Sequence, residues 1–323
     1  MAHRQETTWM GAHALTLTGD AVRVTVLPEH GARIVSLVYL PTGRELLWTP
    51  PDLHSLPALP LPTYAMPYAD HPAVGIDECI PTIWAEAFAG LTLPDHGEVW
   101  SVPWDVPATD NADDTIATHV RLRQTPFQFT RRLSLVGAST VRLDYTLTNS
   151  GDRPHPALWA LHPLMRWQSG MRVTLPPSVT TVEIGSVDGT SPLPPYTPGA
   201  SWPLYTSANK DETLDLSLAI LNTDGAPAST KLYAGPLTEG EGWATLTDPA
   251  DGFTARFAFP TDPCHYLGLW LNRGAWGGYT HLALEPATGT SEFLSEATAR
   301  DAVLTVPAGG TATWYVTITL GGE

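Results

Sequence analysis

Cysteine, lysine and long apolar runs are scarce in this sequence, and each scarcity excludes a class of site or partner. Cys79 and Cys264 are the only cysteines among 323 residues, and they form no CxxC pair, so a thiolate zinc site is not indicated. No apolar run reaches the roughly 18 residues that a membrane-spanning helix needs. The N-terminal residues lack the apolar core of a secretory signal. We therefore expect a cytoplasmic protein with no membrane partner.

Positive charge is also in short supply. Lys210 and Lys231 are the only lysines, and 17 Lys and Arg stand against 33 Asp and Glu, which gives a formal net charge of −16. A surface of this charge repels a phosphate backbone. The composition therefore argues against nucleic acid as a partner.

Motifs of two common enzyme classes are missing. No GxSxG stretch is present, so a nucleophile elbow with a Ser-His-Asp triad is not supported. No GxGxxG or phosphate-loop stretch is present either, which argues against a nucleotide cofactor. We expect the protein to work without a cofactor.

Helical periodicity is nearly absent, whereas alternation of apolar and polar residues recurs along the chain. Residues 22–26 and 141–147 are the clearest examples, and only residues 291–300 have the pattern of a short helix. The 31 Pro and 27 Gly are spread over the whole sequence, as in a protein of many short strands and tight turns. The sequence predicts an all-β fold, a large antiparallel β-sandwich that forms a single domain over residues 1–323.

Two histidines and one glutamate stand at predicted ends of structural elements. Glu285 follows a short apolar strand and precedes Pro286, which has no N–H to continue the strand. His162 ends another apolar run, and His96 lies in a Pro- and Gly-bounded loop. Such groups, held by rigid backbone, suit general acid/base chemistry. Taken one at a time, they are better explained as a solvent-exposed strand-end Glu, a packed core His and a solvated turn.

Six short stretches, in this order and spacing, resemble the aldose 1-epimerase (galactose mutarotase-like) family. They run from near the start of the chain to near its end, so the resemblance covers most of the sequence. The stretches are Gly31-Ala32-Arg33-Ile34, Gly75-Ile76-Asp77-Glu78-Cys79-Ile80-Pro81-Thr82, Asp95-His96-Gly97-Glu98, Leu161-His162-Pro163, Gly268-Leu269-Trp270 and Leu284-Glu285-Pro286. The resemblance implies a supersandwich of antiparallel sheets with a sugar site in a concave cleft.

The resemblance also implies a reaction and roles for three residues. Mutarotation needs a base for the anomeric hydroxyl and an acid for the ring oxygen, so that the sugar ring opens and closes on the other face. Glu285 matches the family's base and His162 its acid. His96 matches a second histidine that binds near the ring oxygen or shares the acid role, and the sequence leaves these two histidine roles open.

Further residues are candidates for binding the sugar. Arg33 stands where the resembling family has an Arg near its site. Asp77 and Glu78 either hydrogen-bond sugar hydroxyls or form a surface pair on a loop. Trp270 and Trp276 are candidates for stacking on a sugar face, although most of the 12 Trp must be core residues.

Alternative functions and sites remain open at this point. A catalytically silent carbohydrate-binding or regulatory protein can share the fold. A sugar-phosphate epimerase would need a basic pocket, which the scarcity of Lys disfavours although a few Arg can suffice. His96 and Glu98 have the spacing to share one face of a strand and to hold a metal, but no tight ligand cluster supports this, and we expect no metal.

Overall fold

Strands dominate the computed structural model, which describes residues 2–55, 58–107, 113–206, 212–218 and 226–322. The strands, in chain order, are β1 His3–Trp9, β2 Ala12–Thr18, β3 Val22–Leu27, β4 Arg33–Tyr39, β5 Arg44–Glu45, β6 Ile76–Cys79, β7 Glu86–Phe88, β8 Leu91–Leu93, β9 Thr115–Arg121, β10 Phe127–Val136, β11 Thr140–Asn149, β12 His155–Ala157, β13 Ala160–Pro163, β14 Met165–Arg166, β15 Arg172–Thr174, β16 Thr181–Gly189, β17 Thr197–Ser201, β18 Leu204–Thr206, β19 Thr213–Asp215, β20 Ala228–Ala234, β21 Trp243–Asp248, β22 Phe253–Ala258, β23 Tyr266–Arg273, β24 Thr280–Ala287, β25 Leu304–Val306 and β26 Thr311–Gly322.

Helices are short and few in the part of the chain that the structure describes. The α-helix α1 is Leu294–Ala299, inside the predicted range 291–300. Short 3-10 helices are Pro28–His30, Pro51–Ser55, Tyr68–Asp70 and Leu216–Leu218. The all-β prediction from alternation is confirmed. No described helix has the length and apolar character needed to cross a membrane.

Two large antiparallel sheets carry the fold. Among the described residues, the larger has 13 strands along the path β1-β2-β3-β4-β6-β13-β24-β23-β20-β16-β17, with β14 beside β24 and β5 beside β4. The smaller has seven strands in the order β15-β21-β22-β26-β11-β10-β9. The predicted antiparallel sheets of a β-sandwich are therefore present.

A continuous apolar core joins strands of both sheets. Leu284 of β24 and Leu161 of β13 belong to the same buried cluster as Val316 of β26 and Leu143 of β11. Successive side chains of a strand point to opposite faces of its sheet. The neighbours of these leucines, Glu285 and His162, therefore point away from the core between the sheets.

The central strands of the larger sheet are buried on both faces. In β6 all four residues are buried, including Asp77 and Glu78. The sequence suggested that Asp77 and Glu78 act together, either on sugar hydroxyls or as a surface pair. A strand instead sends adjacent side chains to opposite faces, so the two carboxylates lie in different surroundings.

Glu78 lies inside the core, where it forms a buried polar network. Its carboxylate accepts hydrogen bonds from Arg131 Nη1 at 2.9 Å, Tyr145 OH at 3.0 Å and Trp159 Nε1 at 2.8 Å. Burial raises the pKa of Glu78, whereas the Arg131 guanidinium acts in the opposite direction. The network holds strands of both sheets together, because Arg131 is on β10 and Trp159 adjoins β13.

Removing the charged partner of Glu78 tests this network. Arg131→Met leaves a buried carboxylate without its cation, so the free energy of unfolding should fall by about 3–5 kcal/mol. Urea unfolding followed by tryptophan fluorescence measures the change. Arg142→Met is the control, because Arg142 pairs with Asp144 in a partly exposed position where such pairs contribute roughly 0–1 kcal/mol. Equal effects of the two changes would contradict a structural role for the network.

Candidate functional site

A cleft of about 740 Å³ lies on the face of the larger sheet that points away from the core. Strands β13, β20, β23 and β24 supply its base, and the segments around residues 50–53, 68–73, 83–85, 95–96, 276–279 and 292–293 supply its walls. Two of these wall segments, 50–53 and 68–73, belong to the Pro-rich stretch 50–73, whose described residues form no strand.

His162 and Glu285 face each other at the base of this cleft. Strands β13 and β24 pair antiparallel at Ala160 and Ala287, and the pairing of β14 with β24 further along keeps the same register. His162 is two residues beyond Ala160 and Glu285 is two residues before Ala287. The shared register therefore places the two side chains as direct cross-strand neighbours, which the sequence could suggest only through the family resemblance.

The same line of neighbours continues to the other side of His162. His162 pairs with Asp77 of β6, and the pairing of Ile34 with Ile76 sets Arg33 opposite Asp77. We call the line from Arg33 through Asp77 and His162 to Glu285 the polar row. It crosses four adjacent strands, so four separate chain segments meet in it.

Glu285 is a buried carboxylate with one oxygen engaged and one unengaged. It is 1% exposed, and its Oε2 forms an ion pair with the ammonium of Lys231 on β20. Its Oε1 is buried and has no hydrogen-bond partner in the described part of the chain. Contrary to expectation, Glu285 does not end its strand, because β24 continues through Pro286 to Ala287.

Gly268 makes room for this ion pair. It lies between the two charged residues, on β23, and pairs in register with Glu285. A Cβ atom at this position would stand 3.1 Å from Glu285 Oε2 and 3.1 Å from Lys231 Cε, closer than such contacts normally are. The absence of a side chain at Gly268 thus lets the lysine cross β23 and reach the carboxylate.

His162 is held as a neutral imidazole. Burial lowers the pKa of His162 well below its usual value, and the neighbouring His96 and Lys231 act in the same direction. Its Nδ1 is buried without a partner among the described residues. The His162 side chain itself lines the cleft, so its neutral ring can meet a ligand there.

His96 stands against His162 in a different environment. It lies in a turn, with a φ of 57°, and its Nδ1 is 2.8 Å from Asp95 Oδ1. Burial acts to raise the pKa of Asp95, but the hydrogen bonds from His96 and from the Tyr68 backbone outweigh burial and leave it below its usual value. The ring of His96 stacks on Tyr68 at 3.9 Å and meets the ring of His162 edge-on at 5.1 Å.

Arg33 and Asp77 lie beneath the cleft rather than along its wall. Arg33 Nε is 2.5 Å from Asp77 Oδ1, and both side chains are fully buried. The hydroxyl of Tyr68 donates to Asp77 Oδ2 at 2.6 Å. Asp77 therefore anchors Tyr68, which lines the cleft and stacks against the ring of His96. Glu78, the other carboxylate suggested for sugar binding, lies on the opposite face of β6.

Trp270 and Trp276 both line the cleft. Their rings are 6.3 Å apart and steeply inclined to each other. Trp276 is 44% exposed, and its Nε1 is 3.1 Å from Ser229 Oγ, which fixes the ring at the entrance. The structure thus brings both tryptophans together with His96, His162 and Glu285.

Several residues of the cleft escaped sequence analysis. Lys231 was noted only as one of two lysines, because its strand mixes polar and apolar residues and no local pattern marks it. Glu292 is buried, accepts a hydrogen bond from Ser186 Oγ at 2.9 Å, and burial raises its pKa. His281 lies deeper on β24, where burial lowers its pKa to about 4.

The expectation that His96 and Glu98 share one face of a strand is wrong. The segment forms a turn, and Glu98 points away from His96. Its carboxylate accepts hydrogen bonds from the backbone N–H groups of Arg123, Gln124 and Thr125, and from Thr125 Oγ1. Glu98 thus anchors a loop and has no free oxygen lone pair directed at His96.

Comparisons with known proteins show the family and the fold of the chain. The profile of the family described as aldose 1-epimerase matches residues 13–184. No curated protein sequence matches the chain significantly.

Solved structures share the fold at low sequence identity. The Slr1438 protein from Synechocystis sp. PCC 6803 superposes with a TM-score of 0.67 at 16% identity, covering 99% of this chain and 100% of its own. A galactose mutarotase related enzyme from Lactobacillus acidophilus gives 0.64 at 15% identity, covering 96% and 97%. A galactose mutarotase-like protein from Clostridium acetobutylicum gives 0.66 at 12% identity, covering 100% and 99%.

The buried histidines make stability depend on pH. Burial is the main cause that lowers the pKa of His30, His71 and His281 to about 4. It also lowers the pKa of His162 well below its usual value. Between this value and the unfolded value near 6.5, the unfolded chain binds more protons than the folded one. The free energy of unfolding should therefore fall as the pH is lowered from about 6.5 to 5, a window in which most carboxylates stay ionised.

Urea unfolding at several pH values measures this slope. His281→Gln removes one neutral buried histidine and should make the dependence shallower. His13→Gln is the matched control, because the His13 side chain is 46% exposed. A slope unchanged by His281→Gln would contradict a neutral, buried His281.

Proposed function

Because the chain belongs to the aldose 1-epimerase family, we propose that it interconverts the α and β anomers of a free aldose by acid/base-catalysed ring opening. One observation carries the proposal. The unengaged Oε1 of Glu285 and the unengaged Nδ1 of His162 belong to direct cross-strand neighbours at the base of one cleft. A sugar between a carboxylate and an imidazole has both groups that mutarotation requires.

Glu285 is proposed as the base. Its Oε2 is held by Lys231, so Oε1 is the atom left to take the proton of the anomeric hydroxyl. The carboxylate is almost completely shielded from water, where a proton acceptor acts more strongly than in bulk solvent.

The acid role is proposed for the pair of histidines. His162, neutral at pH 7, donates a hydrogen bond to the ring oxygen. The ring oxygen gains a full proton as the ring opens, and we assign that proton to the ring of His96, which becomes neutral as it gives the proton up. His96 lies against His162, and the Asp95 carboxylate bonded to its Nδ1 compensates a positive charge on the ring. After C1–C2 rotation, the same groups return the protons in reverse.

A free sugar is favoured over a sugar phosphate by the charge of the cleft. Among the described lining residues, Lys231 is the one lysine or arginine, and its charge is already paired with Glu285. The acidic lining residues are Asp52, Asp70, Asp95, Glu285 and Glu292. A phosphate would meet net negative charge without a guanidinium or ammonium to bind it. The indole rings of Trp270 and Trp276, which both line the cleft, suit the apolar face of a neutral sugar.

The reaction is tested by anomer exchange. NMR exchange spectroscopy over a panel of free aldoses should find at least one whose anomers exchange faster than in a blank without enzyme. Glu285→Gln and His162→Asn should each lower turnover by about 10²–10⁴-fold, since each removes one positioned proton-transfer group. The double variant should be little worse than the worse single one, because groups that act as a unit are non-additive.

Matched controls separate chemistry from folding. Glu183→Gln and His119→Asn make the same replacements at partly exposed side chains outside the cleft and should keep normal turnover. Exchange no faster than the blank, with tight sugar binding, would favour a carbohydrate-binding protein, whereas near-normal turnover of both cleft variants would contradict the proposed roles of Glu285 and His162. Exchange of sugar phosphates alone would contradict the assignment to free sugars.

Lys231 is proposed as a positioning residue for the base. It fixes Oε2 and supplies the positive charge that keeps a buried carboxylate ionised. The other charged or titratable groups around Glu285 are Glu292, His162 and Cys79, and none of these offers a second cation at neutral pH.

Lys231→Met should therefore lower activity in a pH-dependent way. Without its cation, Glu285 takes up a proton more readily, so the acidic limb of the pH–rate profile should move to higher pH. Activity should recover partly as the pH is raised. Arg172→Met, which breaks a largely exposed ion pair with Asp215, should leave the profile in place. A uniform loss of activity at all pH values would indicate a merely structural role for Lys231.

A further inference from the structure

We propose that Cys79, His96 and His162 form a binding site for a thiophilic divalent cation such as Zn²⁺, and that an ion bound there blocks the cleft. The three side chains offer one sulfur and two imidazole nitrogens, and these ligand atoms all lie within 4.8 Å of one another. Sulfur and imidazole nitrogen are the ligands that Zn²⁺ prefers.

The strands bring the cysteine to this place. Cys79 pairs with Ala160 in the ladder between β6 and β13, so His162 is two residues along on the same face. Cys79 and Asp77 share that face of β6, whereas Glu78 lies on the other. The thiol is therefore next to the cleft although the strand around it is buried.

The ligand atoms need only a small movement to close around an ion. Tetrahedral Zn²⁺ with bonds of 2.0–2.3 Å brings its ligands to about 3.5 Å from one another. His96 can supply this movement, because its side chain is partly exposed and belongs to a turn rather than to a strand.

The surroundings of the histidines match those of metal ligands. A zinc-bound histidine commonly donates its second ring N–H to a carboxylate, which fixes the ring. Asp95 already binds His96 Nδ1 at 2.8 Å, which leaves Nε2 for the ion. His162 has a buried nitrogen without a partner in the described part of the chain. The carboxylates of Asp77 and Glu285 are close enough to act on the thiol electrostatically, and they favour a cation beside it.

Binding would form one Zn–S and two Zn–N bonds, and the thiol proton would leave to solvent. The ion would take the nitrogen lone pairs of both proposed acid residues, so sugar turnover would stop until the ion is removed. The proposal thus has two halves, binding of the ion and inhibition by the bound ion. The inhibitory half rests on the proposed function, whereas the binding half does not.

Calorimetry and cobalt spectroscopy test the binding half. Zn²⁺ titrated into chelator-treated protein should bind with one-to-one stoichiometry, and Co²⁺ should give a thiolate charge-transfer band. Cys79→Ala should abolish the band and weaken Zn²⁺ binding by about 10²-fold or more. Cys264→Ala is the matched control, since Cys264 is the other buried free cysteine and should leave both signals unchanged. Cys79→Ser serves in the same way if the alanine variant folds poorly.

Activity assays test the inhibitory half. Zn²⁺ should inhibit anomer exchange by the wild type, and a chelator should reverse it. Cys79→Ala should keep its basal activity and resist Zn²⁺.

Equal Zn²⁺ affinity in the wild type and Cys79→Ala would overturn the site. Cys79-dependent binding without inhibition would overturn the blocking role. A protein with no exchange activity but with the Cys79-dependent cobalt band would reject the proposed function and retain the site.

Discussion

The cleft depends on a carboxylate that stays charged while buried. Removing such a group from water costs several kcal/mol unless a cation accompanies it. Lys231 is that cation, and it reaches Glu285 only because Gly268 on the strand between them has no side chain. The requirement for a buried charge thus fixes the identity of one residue on each of three adjacent strands, β24, β23 and β20.

Alternation along single strands separates this chemistry from the core. Leu284 packs between the sheets while Glu285 faces the cleft, and the same holds for Leu161 and His162. A shift of one residue in the register of either strand would exchange the two sets. The tight apolar packing of the leucines therefore also holds Glu285 and His162 in place, since both sets of side chains belong to the same two strands.

The sequence predicts the fold and part of the cleft. Alternation gave the β-sandwich, and β11, expected near residues 141–148, is Thr140–Asn149. The family resemblance supplied three residues that meet at the cleft. Lys231 could not be found in this way, because its partner is 54 residues away and no local pattern points to it. Glu78 was grouped with Asp77 because the two carboxylates are adjacent in sequence, whereas the strand β6 sends their side chains to opposite faces.

The polar row has a consequence for how the cleft is assembled. Arg33 lies near the start of the chain and Glu285 near its end, and every neighbour pair in the row joins distant segments. Such non-local pairing gives a high contact order and slow folding. During synthesis, the first three members of the row can assemble on the ribosome, but their fourth member emerges last. The cleft therefore lacks Glu285 until β24 has been made and has paired with β13 and β23.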